Sequence, residues 1–434
     1  MRVVLLVTAF PTLSETFIVN KFVGLADRTW DVHIVCVQPG QSEWSSFPEL
    51  QRRPHLRQRV HSAWLHRPRW LAMIMIPIAL LRCISINPLG CLRYLLKGWP
   101  RFGFDVFRRL YFDAELVVLK PDLLHLEFGT LGVDRMYLGD LLNCEVVVSF
   151  RGYDLNHVGL EDSNSYEEVW KKASALHFLG QDLWQRAQRL GCGPAQNHVL
   201  IPPAIDTELF DPANRRHHEV AGTTQRPLRI LSVGRLDWKK GYDYALQAVK
   251  DLVERGIQCE YRIVGDGGYL EAVAFARYQF GIERVVELLG RRSGNDLLAE
   301  LGWADVFLHP SVSEGFCNAV LEAQSMMLPV VCSDAGGLSE NVSDTVTGFV
   351  VPRRQQQALA EKMAMLAKDP ELRQRMGLAG RERVQTNFSL ADQLDSFETW
   401  YRDLLASDRP KAEPRKKSAS LDAPAAVTRV LERK

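Results

Sequence analysis

The sequence predicts an α/β protein built from two doubly wound, Rossmann-like domains that face each other across a cleft. Three observations carry this. The 434 residues exceed what one compact core holds, so two domains of about 200 residues each are expected. Short β-branched apolar runs alternate with helical patterns in both halves, as parallel sheets buried on both faces require. The alternation breaks once, near residues 202–227, where a Pro-Pro pair and a polar stretch precede a fresh strand at Arg229-Ile-Leu-Ser-Val-Gly.

Taken in order, the first half offers strands at Val3–Thr8, Val32–Val37, Leu123–Leu126, Val146–Phe150, Leu176–Leu179 and Val199–Ile201. The apolar start at Met1 stops at Phe10-Pro11 before polar residues, which suits a buried first strand better than a signal peptide. Thr12-x-x-Glu15 reads as a capping box opening the first helix. The second half offers Leu228–Val233, Tyr261–Val264, Val285–Leu288, Val306–His309, Val330–Cys332 and Gly348–Val351. This gives an N-terminal domain at 1–205 and a C-terminal domain at 206–387. A helix at 388–407 is placed to return to the first domain, followed by a tail at 408–434 too poor in apolar residues to fold.

Composition narrows the function. A hydrophobic fraction of 46% and a charged fraction of 24% are those of a globular chain. A formal net charge of +1 gives no reason to expect nucleic acid as a partner. The eight cysteines show no C-x-x-C and no paired Cys/His spacing, so neither a zinc site nor a disulfide framework is expected, and a reducing, cytoplasmic setting fits. The longest apolar run, Trp70 to Leu81, is too short to span a bilayer.

Open parallel sheets bind ligands at the carboxyl ends of their strands, so the loops there hold the candidate chemistry. After the first strand of the C-terminal domain, Gly234-Arg-Leu-Asp-Trp-Lys-Lys-Gly241 sets Arg235 and Lys240 around a turn at a helix start, where a diphosphate would meet two cations and backbone amides. A solvated basic turn is the plainer alternative. Ser313-Glu-Gly-Phe-Cys-Asn318 follows the strand ending at His309. Glu314 and Glu322 there suit vicinal hydroxyls, with the amides of Gly315, Phe316 and Cys317 alongside. Gly265-Asp266-Gly267-Gly268 and Gly336-Gly337 are glycine-rich strand exits where a backbone can approach a ligand.

The ordered set Gly-Arg…Lys-Lys-Gly, Val-Gly-Asp-Gly, Ser-Glu-Gly-Phe…Glu-Ala and Gly-Gly…Glu, spanning about Leu228 to Arg381, resembles the retaining glycosyltransferases of family 4, whose fold is GT-B. The resemblance implies a nucleotide-sugar co-substrate, with no metal and no cofactor. It implies that Arg235 and Lys240 hold the donor diphosphate, that Glu314 takes the transferred sugar's hydroxyls, that Glu322 takes the ribose, and that Arg291 lies near the base. Gly234, Gly265, Asp266, Gly267, Gly315, Phe316 and Cys317 complete the expected donor site. In the first half, Phe10-Pro-Thr-Leu-Ser-Glu-Thr-Phe-Ile18, His125-Leu-Glu-Phe-Gly-Thr130 and Val148-Ser-Phe-Arg-Gly-Tyr-Asp154 resemble the branch that builds exopolysaccharides such as colanic acid. Ser14, Glu15, His125, Glu127, Arg151 and Asp154 are the acceptor-side candidates. Three residues depart from that branch: Lys21 stands at a position usually acidic, and Glu127 and Arg151 stand where His is common. On residue pattern alone, His125 fits a packed core residue, and Asp154 a helix cap, as well as an acceptor contact.

Between Gln51 and Leu110, twelve Arg and Lys are opposed by Asp105 alone, with aromatic and apolar residues interleaved. That mixture suits an anionic membrane surface. It would place the chain on the inner face of the plasma membrane, beside a glycan or lipid-linked oligosaccharide acceptor. A Rossmann dehydrogenase is disfavoured, because Thr8-Ala-Phe-Pro-Thr-Leu-Ser carries no Gly-x-Gly-x-x-Gly. A GT-B phosphorylase or epimerase, and a non-catalytic sugar-nucleotide-binding protein, remain the alternatives.

Overall fold

The computed structural model describes residues 1–12, 15–39, 41–64, 69–158, 164–212 and 219–406. The predicted tail at 408–434 and Ser14 lie outside them.

The first sheet comprises β1 (Arg2–Phe10), β2 (Asp31–Pro39), β3 (Val60–Ser62), β4 (Leu123–Leu126), β5 (Glu145–Phe150), β6 (Ala175–Phe178) and β7 (His198–Leu200). They pair in parallel in the order β3-β2-β1-β4-β5-β6-β7. The second sheet comprises β8 (Leu228–Val233), β9 (Cys259–Val264), β10 (Val286–Gly290), β11 (Val306–His309), β12 (Val330–Ser333) and β13 (Gly348–Val351), parallel in the order β10-β9-β8-β11-β12-β13. Both are doubly wound: strand order reverses between β1 and β4 and again between β8 and β11, and each reversal opens a crevice at the strands' carboxyl ends.

The strands form where the apolar runs predict them because both faces are covered. Every residue of β4, β6, β11 and β12 is buried. The helix Tyr242–Glu254 shows the matching logic, burying Tyr242, Ala245, Leu246, Val249 and Leu252 at helical spacing against the second sheet. β3 is not foreseen in the sequence, since a three-residue edge strand reading Val-His-Ser carries no apolar run.

The expected capping box is corrected. The first helix runs Thr16–Asp27 with Glu15 itself at the N-cap position and no side-chain cap bond. The helix thus starts later than a Thr12 cap would place it, and Glu15 is left to face elsewhere.

The C-terminal helix Leu390–Ala406 lies on the first domain. Leu394, Phe397, Trp400, Tyr401 and Leu404 join the core formed by β1, β2 and the helix Thr16–Asp27. Trp30 Nε1 donates to Glu398 at 2.6 Å, and Arg28 pairs with Asp395.

Candidate active site

The crevice between β8 and β11 collects the donor-side candidates. Beyond β8 the chain turns through Gly234–Gly241. The Asp237 carboxylate accepts the Lys239 N–H at 3.2 Å, and Tyr242 Oη donates to the Gly234 carbonyl at 3.0 Å. The Gly265 exit of β9 packs on this turn. With φ at +152°, a Cβ there would overlap the Gly234 carbonyl, so the site requires glycine. Asp266 and Arg291 are exposed on neighbouring exits.

Lys240 crosses the strand-order reversal and forms an ion pair with Glu314, from the loop after β11. The same Glu314 oxygen accepts from Ser311 Oγ at 2.9 Å and lies 3.1 Å from His309 Nε2. Burial by itself would raise the Glu314 carboxyl. The Lys240 charge and the His309 hydrogen bond outweigh it and hold the group far below the usual carboxylate range. His309, opposed by burial but favoured by the Cys317 sulfur at 3.3 Å and by Glu314, is lifted to about 9. Arg235 is exposed and makes no hydrogen bond or ion pair among the described residues. Its charge nevertheless reaches both Lys240 and, on the opposite domain, Glu15. Glu322 lies in the helix Asn318–Ser325 that this loop opens; burial pushes its carboxyl up to about 7. Among the described residues its carboxylate has no hydrogen-bond or ion-pair partner and Glu322 is only partly buried, so the carboxylate is open to donors from a ligand.

His309, Glu314 and Cys317 bring three metal-ligating atom types within 4.8 Å of one another, a cluster the sequence did not suggest. Glu314 Oε1 is at the same time the oxygen that pairs with the Lys240 ammonium.

The two domains touch at this loop. Gly315 faces Gly152, from the loop after β5, so closely that a Cβ on Gly152 would lie 2.8 Å from the Gly315 nitrogen. Asn156 Nδ2 donates to Ser313 Oγ at 3.1 Å. The Glu340 carboxylate accepts the Gln181 and Asp182 amides at 2.8 Å each, at the start of the helix Gln181–Arg189 in the other domain. Phe316 packs against Phe388 with the rings tilted by 60° and their centroids 5.7 Å apart.

On the acceptor side, the structure brings together the three residues that depart from the exopolysaccharide branch. Lys21 Nζ donates to Glu127 Oε1 at 2.6 Å, and Arg151 donates to Glu127 Oε2 at 3.0 Å. Glu127 is fully buried between two cations. Burial lowers the Lys21 ammonium to about 8, with Glu127 opposing the shift. Arg151 stacks 3.7 Å above the Phe17 ring. Glu15, whose Oε2 is buried without a hydrogen-bond partner, has its carboxyl raised by burial.

His125 and Asp154 are both fully buried and held by internal partners, His125 lying 3.1 Å from Lys21 Nζ. His125 is buried, with Nδ1 2.6 Å from Tyr401 Oη and Nε2 2.6 Å from Ser149 Oγ. Ser149 Oγ continues to His177 Nδ1 at 2.7 Å, and His177 Nε2 to the Ile201 carbonyl at 2.8 Å. Since Ile201 O can only accept, His177 Nδ1 accepts from Ser149 and Ser149 accepts from His125 Nε2, with both rings neutral. His125 Nδ1 is then the acceptor that faces both Tyr401 Oη and the Lys21 ammonium 3.1 Å away. Burial holds both imidazoles well below their usual range. Asp154 accepts the Arg151 and Thr130 amides at 2.8 and 3.2 Å, pinning the turn after β5. Burial raises it to about 6.

The family description "Glycosyl transferases group 1" matches residues 214–383, the sheet and loops that carry Arg235, Lys240, Glu314 and Glu322. This chain carries a group 1 glycosyltransferase domain. Along most of its length the chain is similar to the putative colanic acid biosynthesis glycosyltransferase WcaL of Escherichia coli, at 28% identity over 90% of this chain and 96% of that protein. The amylovoran biosynthesis glycosyltransferase AmsK of Erwinia amylovora matches at 28% over the same shares. Solved structures share the GT-B fold: sucrose-phosphate synthase from Thermosynechococcus elongatus (TM-score 0.71, 19% identity, 94% of this chain and 100% of that one) and Anabaena HepE in complex with UDP and glucose (0.68, 16%, 93% and 100%).

Sequence reading assigned no role to His309 or Ser311, and it marked Lys21 only as a departure from the exopolysaccharide branch, not as a partner of Glu127. The signal for His309 was a polar residue closing an otherwise apolar strand, Val-Phe-Leu-His. Ser311 carried no signal beyond its neighbours.

Proposed function

We propose that this glycosyltransferase transfers a sugar, with retention and without a metal, from a nucleotide diphosphate donor to a glycan, most specifically a lipid-linked intermediate of exopolysaccharide assembly, at the cytoplasmic face of the membrane. The observation that carries this reading is the Lys240–Glu314 pair across the β8/β11 reversal, with Arg235 beside it and the unpartnered Glu322 in the following helix. A diphosphate fits the two cations, and the two carboxylates fit diols on the sugar and the ribose.

In this reading Arg235 and Lys240 neutralise the leaving diphosphate as the glycosidic bond stretches. Glu314 fixes the sugar through its hydroxyls while Ser311 and His309 keep the carboxylate oriented. The Gly152–Gly315 approach closes the acceptor domain over that sugar and excludes water. Glu15 and Arg151 stand where the incoming hydroxyl would arrive. The departing phosphate oxygen can take the acceptor's proton, so no protein nucleophile is called for.

A thermal-shift screen against UDP-, GDP-, ADP- and dTDP-sugars tests donor binding, since a ligand of the folded state raises its melting point. Incubation of the stabilising donor with a lipid-linked glycan extract, followed by NMR assignment of the new anomeric centre in the presence of a chelator, tests the rest. An inverted product, or turnover lost to the chelator, would refute the corresponding part.

A further inference from the structure

The basic stretch at 51–110 divides into two parts of different character. Its first part packs on its own domain: Leu50 and Leu56 are buried, Arg53 pairs with Asp27 at 2.7 Å, Arg59 donates to the Trp30 carbonyl, and Trp64 donates to Glu115. The helices Arg69–Ile86 and Pro88–Phe102 differ. The second buries Cys91, Tyr94 and Gly98 and turns its other face outward. On that face Leu89 (73% exposed), Leu92 (54%), Leu96 (65%) and Trp99 (46%) follow one another at helical spacing. The preceding helix exposes Trp70, Met73, Ile74, Leu81 and Ile84 in the same way, and Phe104 continues the surface past the second helix. Water-facing helices normally bury such stripes, so an apolar face this extended calls for a partner.

Charge selects the partner. Residues 69–104 contain Arg69, Arg82, Arg93, Lys97 and Arg101 and no Asp or Glu. Arg93, Lys97 and Arg101 recur every fourth residue beside the leucine stripe and are exposed. Two copies of this face would bring like charges together, whereas an anionic lipid surface accepts the leucines among its acyl chains and the cations among its phosphates. No helix among the described residues is long and apolar enough to cross a membrane, so the contact lies in the interface plane.

We infer that the helices Arg69–Ile86 and Pro88–Phe102 dock the glycosyltransferase onto an anionic lipid surface, with Leu89, Leu92, Leu96 and Trp99 inserted and Arg93, Lys97 and Arg101 at the headgroups. This docking is independent of the transfer reaction and is measured without a donor. The test is flotation of the full chain with phosphatidylcholine vesicles, with and without phosphatidylglycerol, at low and high salt. The chain floats with the anionic vesicles and is released by salt. The exposed-site variant L92E/L96E stays at the bottom while keeping the wild-type melting point. R93Q/K97Q loses affinity roughly 30-fold, from about fivefold per cation near the lipid. The inference is overturned if the wild-type chain fails to float with anionic vesicles, if it floats equally with neutral ones regardless of salt, or if L92E/L96E floats like wild type. A dimer in light scattering that L92E/L96E converts to monomer would also overturn it, by assigning the face to a second copy.

Discussion

Replacing Lys240 by Met removes the one ammonium that offsets the buried Glu314 charge. The Lys240 and Glu314 side chains are 15% and 9% exposed, so solvent screens the pair little. Breaking such a pair from one side leaves Glu314 with His309 as its remaining charged partner and costs about 3 kcal/mol. In a domain of this size that lowers the melting point by roughly 6–12 °C. Glu314→Gln alone strands the lysine at a similar cost, although Ser311 retains a partner. In K240M/E314Q the buried ammonium and carboxylate are both gone, and His309, released from Glu314, can shed its proton, so the double variant falls short of the summed losses by about 2 kcal/mol. Turnover does not recover with stability: the leaving phosphate has lost a cation, and kcat falls about 100-fold or more in every variant carrying K240M. Denaturant unfolding read together with donor turnover measures both. Additive stability losses, or a double variant with restored turnover, would refute the claim that this pair is both a structural contact and part of the donor grip.

Three further outcomes follow from the same geometry. Glu322 has a free-state pKa of about 7, raised by burial, and accepts hydroxyl donors best when ionised; donor affinity therefore rises about tenfold per pH unit below 7 and levels off above it, and E322Q flattens the profile in calorimetric titrations. The same raised pKa favours the protonated folded state, so this group's contribution to stability is full below the unfolded value and lost as pH rises through 7. Gly152→Ala sets a Cβ against the Gly315 backbone and blocks the interdomain approach; kcat drops about 100-fold while donor affinity, held by the other domain, is unchanged. Glu127→Gln leaves Lys21 and Arg151 without their shared anion and destabilises the chain by about 3–5 kcal/mol, read by urea melts.

Much of the fold was legible because parallel strands buried on both faces must be near-continuous apolar runs. Leu123–Leu126, Leu228–Val233, Val306–His309 and Gly348–Val351 match the structure residue for residue. Val60–Ser62 was not legible, because an edge strand of that length is specified by its neighbour β2 and not by its own composition. At the site, Arg235, Lys240, Glu314 and Glu322 could be named because they sit at fixed offsets from strand ends. Their mutual distances could not, since Lys240 meets Glu314 only through the reversal of strand order. Lys21, Glu127 and Arg151 each looked like a separate anomaly. The fold shows one anion shared by two cations, a relation that crosses from the first helix to the loops after β4 and β5 and leaves no trace in local spacing. His125 was ambiguous for the opposite reason: its partners Lys21, Tyr401 and Ser149 come from three distant segments that only packing brings together.

The most direct measurement compares the affinities of a nucleoside diphosphate and the matching monophosphate for the wild-type chain and for Arg235→Gln. If paired cations grip the second phosphate, the diphosphate binds the wild-type chain at least about tenfold more tightly, and R235Q removes most of that margin while leaving the monophosphate affinity unchanged. Equal affinities in the wild-type chain, or a margin that survives in R235Q, would contradict the account.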